Sequence, residues 1–288
     1  MGGLFYQSEA YNIVDYELWR LDGTDEFFRG PQMVLQPRNF VAFVGAAQTF
    51  GTFCRFPFAN LIAERNGHGV ANLGIGGAGP SRFILDPALM ALINQSRIAV
   101  VQAMSGRSVG NSLYETLQGT SSLRPRGKNN VPWVWAESVW RELHGSLPQD
   151  QLQQLVVESR RNWVTEMSLL LNSISVPKVL LWFSTRSPDY ESSYKSIDTL
   201  FGSFPHLVNQ EMLDEIKPLA DEFVDVTSSR GSPQLLYDRF NGDRASISLA
   251  RPDYAHVNIN GGYPSPEMHV DAAEKLTPVL RRMWSEMV

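Results

Sequence analysis

The sequence predicts an α/β fold, a three-layer sandwich around a five-stranded parallel sheet. Three observations predict it. Apolar runs of strand length recur at residues 40–45, 70–74, 97–105, 177–184 and 222–227. The stretches between them space their apolar residues as helices do. The runs RIAVVQAMS and PKVLLWFS are continuous rather than alternating, the pattern of strands buried on both faces of a parallel sheet.

The first strand, FVAFVG at 40–45, closes on a small-residue turn that opens a helix expected over roughly 48–66. Ligands of open parallel sheets bind outside the carboxyl ends of the strands, so Ala46, Ala47, Gln48 and Thr49 border the expected site. The second strand, VANLG at 70–74, runs into glycines. A helix near 86–95 starts at Asp86-Pro87, where Asp caps and Pro suits the first turn. The third strand, 97–105, leads into a Gly-, Ser-, Asn- and Arg-rich segment at 105–131. That segment is longer than an ordinary connection and begins at a strand's carboxyl end, so it reads as a functional loop within a lid or insertion over 105–175.

Helices follow near 132–144 and 149–172, with Trp133, Trp135 and Trp140 read as a packed face and a sugar-stacking platform as the alternative. The fourth strand is 177–184, a helix spans 209–220, and the fifth strand is 222–227. Residues 228–262 are irregular except for HVNIN, and a last helix runs from Glu267 to Met287. Right-handed crossovers put every carboxyl end on one rim of a flavodoxin-like sandwich. Residues 1–39 lack a period and read as an N-terminal arm ahead of the 40–288 domain. The aromatics Phe5, Tyr6, Tyr11, Tyr16 and Trp19 suit either homo-oligomer contact or core packing.

With 43% hydrophobic and 19% charged side chains, the 288 residues suffice for one main domain. A net charge of −5 argues against nucleic acid, and the basic cluster RPRGK reads as a solvated loop. One cysteine, Cys54, excludes an intramolecular disulfide, and no Cys/His spacing suggests a metal site. The first residues lack the zones of a secretion signal, and no apolar stretch approaches the ~20 residues needed to cross a bilayer. The expectation is a cytoplasmic protein with no membrane partner.

The rim gathers the residues that carry chemistry. Gly76 and Gly77, in NLGIGGAG, offer unhindered backbone N–H groups to an oxyanion. Ser105, Arg107 and Asn111 follow the third strand and Arg186 the fourth. Two arginines on one rim suit an anionic ligand. His269, at the start of the last helix beside Glu267 and Asp271, suits a general base.

In this order the segments resemble the SGNH (GDSL-like) hydrolase superfamily over roughly residues 40–280. That family carries Gly-Asp-Ser-Leu in block one, an oxyanion glycine in block two, an oxyanion asparagine in block three, and in block five a histidine preceded three residues earlier by aspartate. Here GAAQTFG, NLGIGGAG, SGRSVGN and PEMH fall on those blocks. The resemblance implies Gly76 and Asn111 as oxyanion donors and His269 as base. It departs at Ala47, where the serine belongs, and at Pro266, where the aspartate belongs. The GAAQ turn is also similar to the Gly-Asn-Cys-Gln turn of a capsule-polysaccharide acetyltransferase family, which implies coenzyme A and carbohydrate as ligands. FRGP and GAAQTFG look like a bacterial domain family of unknown function.

The function expected is transfer or hydrolysis on an acyl- or sulfo-modified saccharide or small molecule. His269 activates an acceptor directly, because Ala47 has no group that attacks. No cofactor is required, and coenzyme A or an adenosine phosphosulfate is the candidate donor. Thr49 is the residue that stands in for a nucleophile if its hydroxyl faces His269, whereas Cys54 lies about two helical turns beyond the corner, with Gln48, Ala47, Gly77, Ser105, Arg107, Arg186 and Glu267 around the substrate. The alternative is a non-catalytic descendant that keeps the pocket and binds a ligand or partner.

Overall fold

Two short strands, β1 (Leu18–Arg20) and β2 (Phe27–Arg29), precede the apolar run that opens the parallel sheet. β3 (Phe40–Gly45) leads into α1 (Ala47–Phe50), α2 (Phe58–Asn66) and β4 (Gly69–Gly74). Then come α3 (Ser81–Ile84), α4 (Pro87–Gln95), β5 (Ile98–Gln102), β6 (Tyr114–Thr116), β7 (Ser122–Pro125), β8 (Val134–Trp135), α5 (Ala136–Ser146) and α6 (Gln149–Ser173). β9 (Lys178–Ser184), α7 (Ile197–Phe201), α8 (Gln210–Ile216), β10 (Glu222–Thr227), β11 (Gln234–Leu235), β12 (Ile259–Asn260) and α9 (Pro266–Glu286) complete the chain. This computed structural model describes residues 10–247 and 258–286. Phe5 and Tyr6 of the arm, and His256 and Val257 of HVNIN, lie outside the described residues.

The main sheet runs β1-β2-β4-β3-β5-β9-β10. Its five long strands pair in parallel, in the order second, first, third, fourth, fifth. β1 and β2 extend it antiparallel beyond β4, so residues expected to be an aperiodic arm supply two sheet strands. Tyr16 and Trp19 are buried in this chain, whereas Tyr11 is exposed.

Alternate residues of β3 serve two cores, as continuous apolar strands require. Phe40, Ala42 and Val44 pack with Leu89, Trp163, Met167 and Leu213 on the face of α4, α6 and α8. Val41 and Phe43 pack with Phe58, Ile62, Leu276 and Leu280 on the face of α2 and α9. The result is helix layer, sheet, helix layer.

Three expected elements are corrected. The helix over 48–66 is two helices, because Gly51 adopts φ +83° and closes α1, and Pro57 cannot donate to a continuing helix. The segment 105–131 is not irregular throughout: β6 and β7 pair in a hairpin that β8 extends. Its strands, YET and SLRP, escape an apolar-alternation reading because a cross-strand ion pair, Arg124 to Glu115 at 2.6 Å, occupies one face. The helix near 132–144 starts at Ala136, so Trp140 alone of the three tryptophans sits on its packed face. Trp133 lies beneath the Arg124 guanidinium at 4.3 Å.

Beyond the carboxyl ends of β5 and β9, the hairpin, α5, the start of α6 and α7 build a separate apolar cluster. Leu123, Trp140, Leu152, Leu200, Phe201 and Leu207 form its centre.

Candidate functional site

Gly45 and Gly74 end the first two parallel strands, and the corner between β3 and α1 depends on both. A Cβ on Gly74 would collide with the backbone of Phe50, and one on Gly45 with the Thr49 hydroxyl. The tight approach turns Thr49 inward. Its Oγ1 donates to Gln102 Oε1 at 2.7 Å, and the same oxygen accepts from Ala46 N at 3.1 Å. This corrects Thr49 as a nucleophile, because the hydroxyl ties the corner to β5 and lines neither of the two cavities on the carboxyl rim. Gln48 points the other way. It is 5% exposed, its Oε1 has no partner among the described residues, and it lines two neighbouring cavities.

Those cavities lie on the carboxyl rim. The larger, about 760 Å³, is bordered by Ala47, Gln48, Gly76, Gly77, Ser105 and Arg107, and also by Trp135, Asp25 and Glu26. The smaller, about 600 Å³, is bordered by Phe53, Glu137, Phe201, His206, Gly262 and Tyr263. Gln48, Arg107 and Tyr263 belong to both and form the partition.

At this partition Ser105 Oγ lies 3.1 Å from His206 Nδ1. Ser105 follows the third parallel strand. His206 belongs to the turn after α7, between Phe201 and Phe204, whose rings lie 5.5 and 5.8 Å from the imidazole. Strong ties hold that turn. Gly106 N donates to His206 O at 2.9 Å and Ser184 Oγ to Phe204 O at 2.6 Å. Arg186 donates through Nε to Ser203 O and through Nη2 to Pro205 O and Val208 O, at 2.7–3.0 Å. Sequence reasoning missed His206 because it lies in no motif. The only signal was its place on a strand-four connection in a chain with five histidines.

Five further expectations are corrected. His269 is not on the rim: it is fully buried, stacked on Phe58 and edge-on to Phe183, and lines neither cavity. Its Nδ1 accepts from Phe58 N at 3.3 Å, which leaves the proton on Nε2, and burial followed by the Arg29 charge pushes its pKa down to about 3. A ring so placed has no lone pair for a substrate proton. Asn111 organises its own loop, accepting from Leu113 N and Tyr114 N and donating to Ser159 Oγ, so its amide does not reach an oxyanion. Glu267 is exposed beside the Gly231 turn, away from both cavities.

Arg186 borders the smaller cavity, but its fork is committed to backbone carbonyls and stacks over Tyr190 at 3.7 Å. Burial pushes its pKa down to about 10. Arg107 pairs with Glu137 at 2.9 Å. The two arginines therefore do not form a phosphate clamp. Cys54 is buried, and burial pushes its thiol up to about 12, the opposite of a reactive cysteine. Among the described residues no cluster of His, Cys, Asp or Glu gathers to hold a metal, and no helix is long and apolar enough to cross a membrane.

A family model described as a domain of unknown function (DUF6473) matches residues 4–117 and 140–284. No curated protein matches. Among solved structures, a carbohydrate acetylesterase family member from Sinorhizobium meliloti is similar at 12% identity, over 86% of this chain and 99% of that one, with a TM-score of 0.41. A protein from Lactobacillus plantarum is similar at 12% identity over the same shares, with a TM-score of 0.39.

Proposed function

The chain belongs to that family, DUF6473, and from this premise we propose that it is an acyl-transfer enzyme acting on an ester of a saccharide or small molecule, with Ser105 as nucleophile and His206 as base. The observation that carries this is the 3.1 Å contact between Ser105 Oγ and His206 Nδ1 on the cavity partition. A serine is a weak nucleophile until a base within hydrogen-bond reach takes its proton. In the first step Ser105 Oγ attacks the acyl carbonyl and its proton passes to His206 Nδ1. The oxyanion then meets the Gly76–Gly77 turn, which borders the same cavity and whose backbone N–H groups suit that charge. Collapse expels the alcohol with the His206 proton and leaves acyl-Ser105. Water or a second alcohol, deprotonated by His206, releases the acyl group and restores both residues.

This chemistry needs nothing from position 47, whose alanine packs with Tyr16, Phe50 and Phe53. It includes no coenzyme A or phosphosulfate donor, because Arg107 and Arg186 are already engaged.

A fluorophosphonate probe followed by peptide mass mapping tests the assignment. The expected result is a single adduct on Ser105, absent in Ser105→Ala, with p-nitrophenyl acetate turnover falling by ~10³-fold or more in Ser105→Ala and His206→Asn. An adduct elsewhere, or turnover kept by either variant, would overturn it. A folded protein that takes no adduct and turns over no ester is instead a ligand-binding descendant, the alternative that Ala47 favours.

A further inference from the structure

The two members of the dyad open onto different cavities. Ser105 borders the larger and His206 the smaller, and Gln48, Arg107 and Tyr263 stand between them. Resting on the acyl-transfer assignment above, we propose that the smaller cavity is the binding site for a second organic substrate, a neutral alcohol, and that the enzyme transfers its acyl group to that alcohol rather than to water.

Size argues for an organic acceptor. The smaller cavity measures about 600 Å³, whereas one water needs only ~30 Å³. Its walls argue for the class. Phe53, Phe201 and Tyr263 present aromatic surface suited to an apolar or sugar-ring face. The charges of its lining are balanced, Arg107 being paired to Glu137 and Arg186, held by carbonyls, being offset by Asp198, so the cavity suits a neutral ligand. Gln48 offers a buried Oε1, without a partner among the described residues, as acceptor for a hydroxyl.

The division of labour follows. The donor ester enters the larger cavity, Ser105 Oγ bonds to its carbonyl carbon, and the donor alcohol leaves with the proton that His206 received from Ser105. The acceptor then approaches from the smaller cavity, loses its hydroxyl proton to His206, and attacks the acyl carbon. The Ser105–acyl bond breaks, and His206 returns the proton to Ser105 Oγ. One ester is consumed and one formed, with no change in oxidation state.

Gly262 provides the test, because it borders the smaller cavity and a Cβ built there meets nothing within 4 Å, so a larger side chain can be placed at that border. With p-nitrophenyl acetate as donor, acetate and acetylated alcohol are measured in the presence of benzyl alcohol, methyl glucoside or glycerol 3-phosphate. The expected result is acetyl transfer to a neutral alcohol and not to the phosphate. In Gly262→Phe the ratio of transfer to hydrolysis falls by ~10-fold or more. Acetate as sole product with every alcohol, equal use of the phosphate, or an unchanged ratio in Gly262→Phe would overturn the second site while leaving the dyad intact. Loss of the nitrophenolate burst in wild-type protein, or its survival in Ser105→Ala, would instead overturn the dyad and this inference with it.

Discussion

His269 shows how a motif position becomes a structural residue. Its ring fills a slot between Phe58 and Phe183 and accepts the Phe58 N–H, so folding requires the neutral form. The unfolded chain takes up a proton below the ordinary histidine pKa of 6.5, while the folded chain resists until about pH 3. Stability is therefore complete above pH 6.5 and is lost as pH falls towards 3, with a ceiling of roughly 4–5 kcal/mol. Urea midpoints at pH 7.5 and 4.5 check this: wild type should lose roughly 2–3 kcal/mol more than His269→Phe over that interval. Equal losses would remove His269 as the cause. The same variant should keep ester turnover at pH 7.5, which a catalytic base at this position could not.

Among the elements, the turn after α7 matters most, because it carries His206 yet has no regular structure of its own. Backbone carbonyls at Ser203, Pro205 and Val208 converge on the Arg186 guanidinium, a planar five-donor fork that an ammonium cannot replace. Arg186→Lys should lower kcat by ~10-fold with KM little changed and should slow fluorophosphonate labelling of Ser105 in proportion. Normal labelling with a lower Tm would mean that Arg186 supports the fold and does not position His206. A simpler device starts α4. Asp86 accepts from Leu89 N at 3.1 Å as its cap and also meets Arg82. Asp86→Ala should cost about 1 kcal/mol by chemical denaturation, and a change below the error of that measurement would mean the cap contributes nothing.

For the molecule as a whole, the fold keeps one rim as the meeting place of strand ends but shifts the candidate reactive serine from the first parallel strand to the third. Residue 47 lies within the apolar cluster of Tyr16, Phe50 and Phe53, and the histidine of the last helix is buried against Phe58 and Phe183, its Nδ1 occupied by Phe58 N. Restoring a hydroxyl in Ala47→Ser therefore gives it no base. Turnover of p-nitrophenyl acetate should stay within ~2-fold of wild type, and a large gain would return the catalytic centre to the first strand. The corner itself tolerates no added atom at Gly74, where a Cβ meets the Phe50 backbone. Gly74→Ala should destabilise by ~2 kcal/mol or more in thermal or urea unfolding.

The five parallel strands were legible in the chain, whereas β1 and β2 were not. Continuous runs such as FVAFVG and KVLLWFS are buried on both faces wherever they lie, and their alternation with helices implies parallel pairing, while the order second, first, third, fourth, fifth is a property of the packed sheet. Gln48, Gly76, Gly77, Ser105 and Arg107 border one cavity, which says where they lie and not what they do. The sequence misdirected the search for a base, because burial and partner are properties of three-dimensional neighbours. His269 looked poised beside Glu267 and Asp271, and only packing revealed that it faces Phe58 and Phe183. Ser105 and His206 are separated by 101 positions with no motif joining them. Their meeting depends on β5 and β9 lying side by side and on carbonyls gathered by Arg186. A hydrogen bond of that range leaves no periodic trace in the chain and comes into being only when the strands pack.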